Sequence, residues 1–165
     1  MRARAVLEET FDVVYTGVGA LNWLPDMRRW AEIVRGFLRP GGVLYLREGH
    51  PMLATLDNHR DDQLLVVCHP YFPTGDPLRW EEPRTYTDGG EGLPHTVTYE
   101  WPHPISEVLT ALLDAGLAIT AFEEHDFLEW AFFDWLQRDA SGRYVLPEGR
   151  ERLPLMYSLS AVAAG

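Results

Sequence analysis

The sequence predicts an α/β fold built on a parallel pair of strands, and three observations predict it. A short apolar run, Phe11-Asp12-Val13-Val14-Tyr15, leads into Thr16-Gly17-Val18-Gly19, the pattern of a buried strand that ends in a tight turn. An amphipathic stretch follows from Asp26, and a second apolar run, Val43-Leu44-Tyr45-Leu46, begins just after Pro40-Gly41-Gly42. Strand, helix and strand in that order form a βαβ unit, whose two strands run parallel.

Each element has its own signal. Asp26 opens a helical pattern in which Met27, Trp30, Ala31, Val34 and Leu38 fall on one stripe, widened by Ile33 and Phe37. Arg28, Arg29, Glu32 and Arg35 lie on the opposite side, as a surface helix requires. Pro40-Gly41-Gly42 ends that helix and turns the chain, and the second strand runs out at Arg47-Glu48-Gly49-His50-Pro51. Residues 57–103 mix prolines, glycines, aromatics and charges, with strand-like pieces at Gln63–Cys68 and Thr96–Trp101. A segment this long between core elements reads as a functional insertion, a cap, rather than a connector. Pro104 then takes a first helical position, Ile105, Val108, Leu109, Leu112 and Leu113 make a second apolar stripe, and Gly116 supplies the stop. Leu117–Glu123 reads as a third strand, Phe127–Leu136 as a short aromatic-rich helix or lid, and Leu155–Ala163 as the closing strand.

Composition bounds the function. A chain of 165 residues holds one domain, residues 1–165, with the 57–103 insertion inside it. Twenty-five acidic residues against fourteen basic ones, all arginine, leave a net charge of −11, which argues against a nucleic-acid or anionic-membrane partner because both reward basic clusters. No apolar run reaches spanning length, and Met1-Arg-Ala-Arg leads into no signal-peptide core, so a soluble, cytoplasmic protein is expected. Cys68 is the only cysteine and sits in Leu-Leu-Val-Val-Cys-His, where a buried, inert thiol is expected. The six histidines show no His-x-x-x-His or His-Glu-x-x-His spacing, so no metal site is expected. The Gly-x-Ser-x-Gly elbow of many hydrolases is absent as well.

Three segments carry a family resemblance. Residues 11–26, Phe-Asp-Val-Val-Tyr-Thr-Gly-Val-Gly-Ala-Leu-Asn-Trp-Leu-Pro-Asp, resemble the fourth-strand motif of class I S-adenosylmethionine-dependent methyltransferases of small molecules. Trp30, Val34 and Phe37-Leu38-Arg39-Pro40-Gly41-Gly42-Val43-Leu44 resemble that family's following helix and its turn into the fifth strand. Leu112-Leu113-Asp114-Ala115-Gly116-Leu117 resembles the helix end before the sixth strand. Pro-Gly-Gly alone is a weak signal, whereas three elements in order and at the right separations are a specific one. The resemblance implies a partial Rossmann-like methyltransferase sheet, strands four to seven of seven in the order 4-5-7-6 with the last antiparallel, under a capping insertion. It covers the C-terminal half of the family fold only. The glycine-rich loop after the first strand, the acidic ribose ligand and the adenine motif have no counterpart, and Gly17-Val18-Gly19 lacks the spacing to replace that loop.

The same resemblance places the chemistry. S-adenosylmethionine is the implied cofactor and a small molecule the implied acceptor. Thr16, Gly17, Val18 and Gly19 match the family's loop near the reactive methyl group and become candidate cofactor contacts. Asn22 and Trp23 are placed to flank the methyl or the acceptor, Trp23 equally well to staple the next helix. Sites in open α/β sheets lie beyond the carboxyl ends of the strands. Glu48 and His50 leave the second strand there, as candidates for a general base or an acceptor-positioning pair. The insertion offers Trp80, Tyr86 and Trp101 as acceptor-binding aromatics, with Tyr71, Phe72, Tyr99, His95 and His103 near them, although aromatics also simply pack small lobes. The strand at residues 11–15 is left with an unpaired apolar edge, which invites a second copy or a partner chain. Rival readings are a non-catalytic binding or dimerisation module and one half of a split enzyme.

Overall fold

In the computed structural model, which describes residues 7, 9–81 and 95–165, strand β1 (Phe11–Thr16) lies parallel to β2 (Leu38–Gly49), with α1 (Met27–Phe37) crossing between them. Asp26 caps α1, its carboxylate accepting the Arg29 N–H at 3.0 Å. The helix buries Met27, Trp30, Ala31 and Val34. Pro40-Gly41-Gly42 does not precede the strand but sits inside it. Phe11 pairs with Leu38 and Val13 with Val43, so three extra residues bulge out of β2 between those pairs. Gly42 fits there because a Cβ would meet the carbonyl oxygens of Arg39 and Phe11 at 3.0 Å.

The main sheet has the order β1-β2-β9-β5. Strand β9 (Met156–Ala163) is antiparallel to β2 and to β5 (Leu117–His125). Helix α2 (Ile105–Asp114) precedes β5 and ends in Gly116 at φ +80, whose N–H donates to the Leu113 carbonyl at 3.0 Å. Leu44, Leu46, Leu159 and Ala161 share one face of the sheet and form a single core with Trp30, Val34, Val108 and Leu112 of the two helices. Each such leucine contributes about 2 kcal/mol over an exposed one. The alternate residues face the other way. Tyr15 and Tyr45 stack there at 5.9 Å and stay 61% and 40% exposed. Strand β1 pairs only with β2 among the described residues, and Val13 at its edge is 60% exposed.

The insertion departs from its expected elements. Strand β3 (Leu78–Glu81) and β4 (Val97–Glu100) form an antiparallel hairpin, but Gln63–Cys68 is no strand. Asp62 accepts the Leu64 N–H at 3.1 Å and Gln63 turns to φ +61, so only a Leu56–Val67 bridge forms. Cys68 is consequently exposed, not buried. Phe127–Leu136 is not a helix either. Phe127–Leu128 becomes β6, which joins β7 (Gln137–Arg138) and β8 (Tyr144–Val145) in a small sheet of order β6-β8-β7. Phe133 is buried and stacked on Trp135 at 4.9 Å. With Leu53, Leu56, Leu128, Leu155 and Met156 it forms a second core, and filling that core overrides helical periodicity. Among the described residues no helix is long and apolar enough to cross a membrane.

Candidate functional site

Parallel β1 and β2 end on the same side of the sheet, at Thr16 and Gly49. The chain leaving β1 folds back over β2 because Glu48 holds it. The Glu48 carboxylate, buried at the end of β2, accepts the N–H groups of Gly19, of Ala20 at 2.9 Å, of Leu21 at 3.1 Å and of Gly49 at 2.9 Å. Four donors around one carboxylate compensate its burial. They also lock the turn that carries Gly19, whose φ is +75.

His50 follows on the same strand end and is 7% exposed. Its Nδ1 accepts the Met52 N–H at 3.0 Å, which leaves Nε2 carrying the hydrogen in the neutral ring and facing Glu124 Oε1 at 3.1 Å. Burial lowers the pKa of His50, while Glu124 acts in the opposite direction. The edge of the ring meets Tyr157 at 6.3 Å and 86°. Both residues expected to act as base are therefore engaged. Glu48 spends its oxygens on backbone donors, and neither nitrogen of His50 keeps a free lone pair.

A cleft of about 270 Å³ opens beyond these strand ends. It brings together Gly19, Asn22, Glu48, His50, Trp101 and His103 of the residues singled out from the sequence. Thr16, Gly17, Val18, Trp23 and Trp80 do not line it. Trp23 is 48% exposed, and Trp80 packs edge-on against His69 at 4.6 Å in the β3–β4 hairpin. Tyr86 lies outside the described residues. The insertion is tied to the β1 loop at the cleft, since the Trp101 N–H donates to the Asn22 carbonyl at 2.9 Å.

Sequence reasoning missed Glu100, Trp130, Phe132 and Tyr157, all of which line the cleft. Trp130 and Phe132 lie in the segment singled out as an aromatic lid, so their composition was the available signal. Trp130 reaches far enough that a Cβ on Gly49 would touch its ring at 3.6 Å. Glu100 had no signal, because the end of a two-stranded hairpin is placed by packing alone. Burial raises its pKa, and a hydrogen bond from the Asn22 side chain partly offsets this. Tyr157, nearly fully buried beside Glu48, has its phenol pKa pushed upward by that burial and then by the carboxylate.

No protein-family model matches the chain, and no curated protein matches its sequence. Solved structures do match its fold. A protein from Listeria monocytogenes assigned to the S-adenosylmethionine-dependent methyltransferases superposes with a TM-score of 0.56 at 17% identity, over 95% of this chain and 63% of that one. An S-adenosylmethionine-dependent methyltransferase from Mesorhizobium loti gives 0.50 at 20% identity, over 93% and 62%. The glycopeptide N-methyltransferase MtfA, in complex with S-adenosyl-L-methionine, gives 0.51 at 21% identity, over 96% and 56%. The chain thus spans about three fifths of the length of these structures. Over the part it spans, this chain shares the α/β fold of these S-adenosylmethionine-dependent methyltransferase structures.

Proposed function

We propose that this chain forms the acceptor side of an S-adenosylmethionine-dependent methyltransferase acting on a small molecule. One observation carries the reading: the loop after β1 and the end of β2 meet the insertion in a single cleft, with Gly19, Asn22, His50 and Trp101 on its walls. The sheet order supports it. The order β1-β2-β9-β5, with β9 antiparallel to both neighbours, is the order that strands four, five, seven and six of that family would give.

Methyl transfer is an in-line displacement, so the protein contributes mainly position and exclusion of water. S-adenosylmethionine supplies the electrophilic methyl group. Thr16, Gly17, Val18 and Gly19 form the loop that would lie along it, and Glu48 fixes that loop through its four backbone donors. His50 and Tyr157 line the acceptor pocket together with Trp101, which comes from the insertion acting as a cap. Calorimetric titration with S-adenosylhomocysteine tests the reading. Saturable heat that weakens in Gly19→Val is the expected result, and a folded chain giving no heat would remove the cofactor from this chain.

A second reading follows from β1. Its edge carries Val13 and Tyr15, 60% and 61% exposed, with no second strand beside it among the described residues. An apolar edge of this kind suits a strand from another chain, either a second copy or the other half of a split enzyme. Light scattering of the purified chain checks it, and a monomer at all concentrations would remove self-association.

A further inference from the structure

The cleft has an unusual charge balance. Among the described residues no arginine lines it, and the chain contains no lysine. Its titratable groups are Glu48, His50, Glu100, His103 and Tyr157. Glu48 is saturated by backbone donors, and His50 is held between Met52 and Glu124. His103 is turned to the Leu24 carbonyl at 2.7 Å and to Glu107 at 3.0 Å. Tyr157 is shut into the core. Glu100 differs from all of these. It is half-buried, its partner is the neutral Asn22 side chain, and no cation pairs with it among the described residues. The other end of the Asn22 amide, Oδ1, is buried with no hydrogen-bond partner among the described residues. Among the described residues the cleft therefore holds a carboxylate without a counter-ion and an acceptor without a donor, a costly arrangement unless a ligand supplies both. Trp101, Trp130 and Phe132 line the same cleft, and aromatic faces attract cations.

We propose that the ligand of this cleft is a small molecule that carries a protonated amine on an aromatic or apolar body, with Glu100 as counter-ion and Trp101, Trp130 and Phe132 as walls. This deepens the methyltransferase reading and rests on it for the reaction, which becomes N-methylation. An ammonium has no lone pair, so it must first lose a proton. The Glu100 carboxylate, its pKa already raised by burial, takes that proton. The freed lone pair then forms the N–CH3 bond while the S–CH3 bond breaks, its electrons remaining on sulfur to leave S-adenosylhomocysteine. Glu100 is thus the proton acceptor that neither Glu48 nor His50 is free to be.

Binding alone decides the ligand class. The full chain is titrated with 2-phenylethylammonium, its neutral isostere 2-phenylethanol and the anionic 3-phenylpropionate, following tryptophan fluorescence and heat. The ammonium is expected to bind at least about tenfold more tightly than the alcohol, in keeping with a charge-assisted contact, and the carboxylate not at all. Glu100→Gln is expected to lose that preference and Glu100→Asp to keep part of it, both variants folding as judged by circular dichroism. Equal binding of ammonium and alcohol, a preference that survives Glu100→Gln, or no binding of any probe overturns the proposal. Parallel titration with S-adenosylhomocysteine separates the two readings: cofactor binding without ammonium binding sinks the amine site alone, and ammonium binding without cofactor binding sinks the methyltransferase reading while leaving the amine site.

Discussion

His50 and Glu124 meet across the end of the sheet with Nε2 3.1 Å from Oε1, while the Met52 N–H occupies Nδ1 on the other side of the ring. The imidazole is thereby oriented from both ends. Burial, which lowers its pKa from the ordinary 6.5, outweighs the carboxylate that raises it. The histidine therefore titrates at lower pH folded than unfolded. Well above 6.5 it is neutral in both states and adds no pH dependence. As pH falls below 6.5 the unfolded chain takes up the proton first, so folded stability declines until the folded pKa is reached. Urea denaturation at stepped pH checks this: wild type should lose more stability below 6.5 than His50→Gln does. Glu124→Gln should push the imidazole pKa still lower, as read by NMR of the ring protons, and an upward shift would contradict the account.

Glu48 is expected to matter for the loop more than for proton transfer. Glu48→Ala strands the N–H groups of Gly19, Ala20, Leu21 and Gly49 and should cost about 3 kcal/mol. Hydrogen exchange at Gly19 to Leu21 should rise well beyond the global change. Uniform acceleration across the chain would mean that the loop is held by something else.

Gly42 and Gly49 should respond differently to the same methyl group. At Gly42 a Cβ meets backbone oxygens at 3.0 Å, whereas at Gly49 it reaches only the Trp130 ring at 3.6 Å. Gly42→Ala should lose about 1–3 kcal/mol, and Gly49→Ala should stay within about 1 kcal/mol of wild type. Thermal melts of the two variants decide it, and equal losses would mean the β2 bulge adapts.

Asp26→Ala removes the acceptor of the Arg29 N–H and should cost about 1 kcal/mol. Asp26→Ser should recover most of it, as measured by urea midpoints. A loss in both variants alike would locate the role of Asp26 outside the cap.

The elements legible in the sequence are those whose periodicity is set by burial on one face. Helix α1 follows the stripe from Met27 to Leu38, and β2 and β9 follow their apolar runs. Two features escaped for physical reasons. Gln63 takes a left-handed conformation that its residue type does not announce, and so turned an apolar run into loop. The aromatics from Phe127 to Trp135 fill a second core that exists only once Leu53, Leu56 and Leu155 arrive from elsewhere in the chain. The site was legible by position, since Gly19, Glu48 and His50 fall at the strand ends where the fold puts its chemistry. Their bonding was not. Nothing local to Glu48 shows that amides from a loop 27 to 29 residues away will use up its oxygens, and nothing near Glu100 shows that packing will bring it to the Asn22 side chain.

The central claim, that the β1 loop and the end of β2 form the cofactor-facing wall of an acceptor cleft, is tested most directly by NMR. Amide spectra of the labelled chain are recorded as S-adenosylhomocysteine is added. The account predicts saturable shifts confined to Gly17–Leu21, Gly49, His50 and Trp101, with the amides of α1 and α2 unmoved. Shifts that cluster elsewhere, or an unchanged spectrum at saturating ligand, would contradict it.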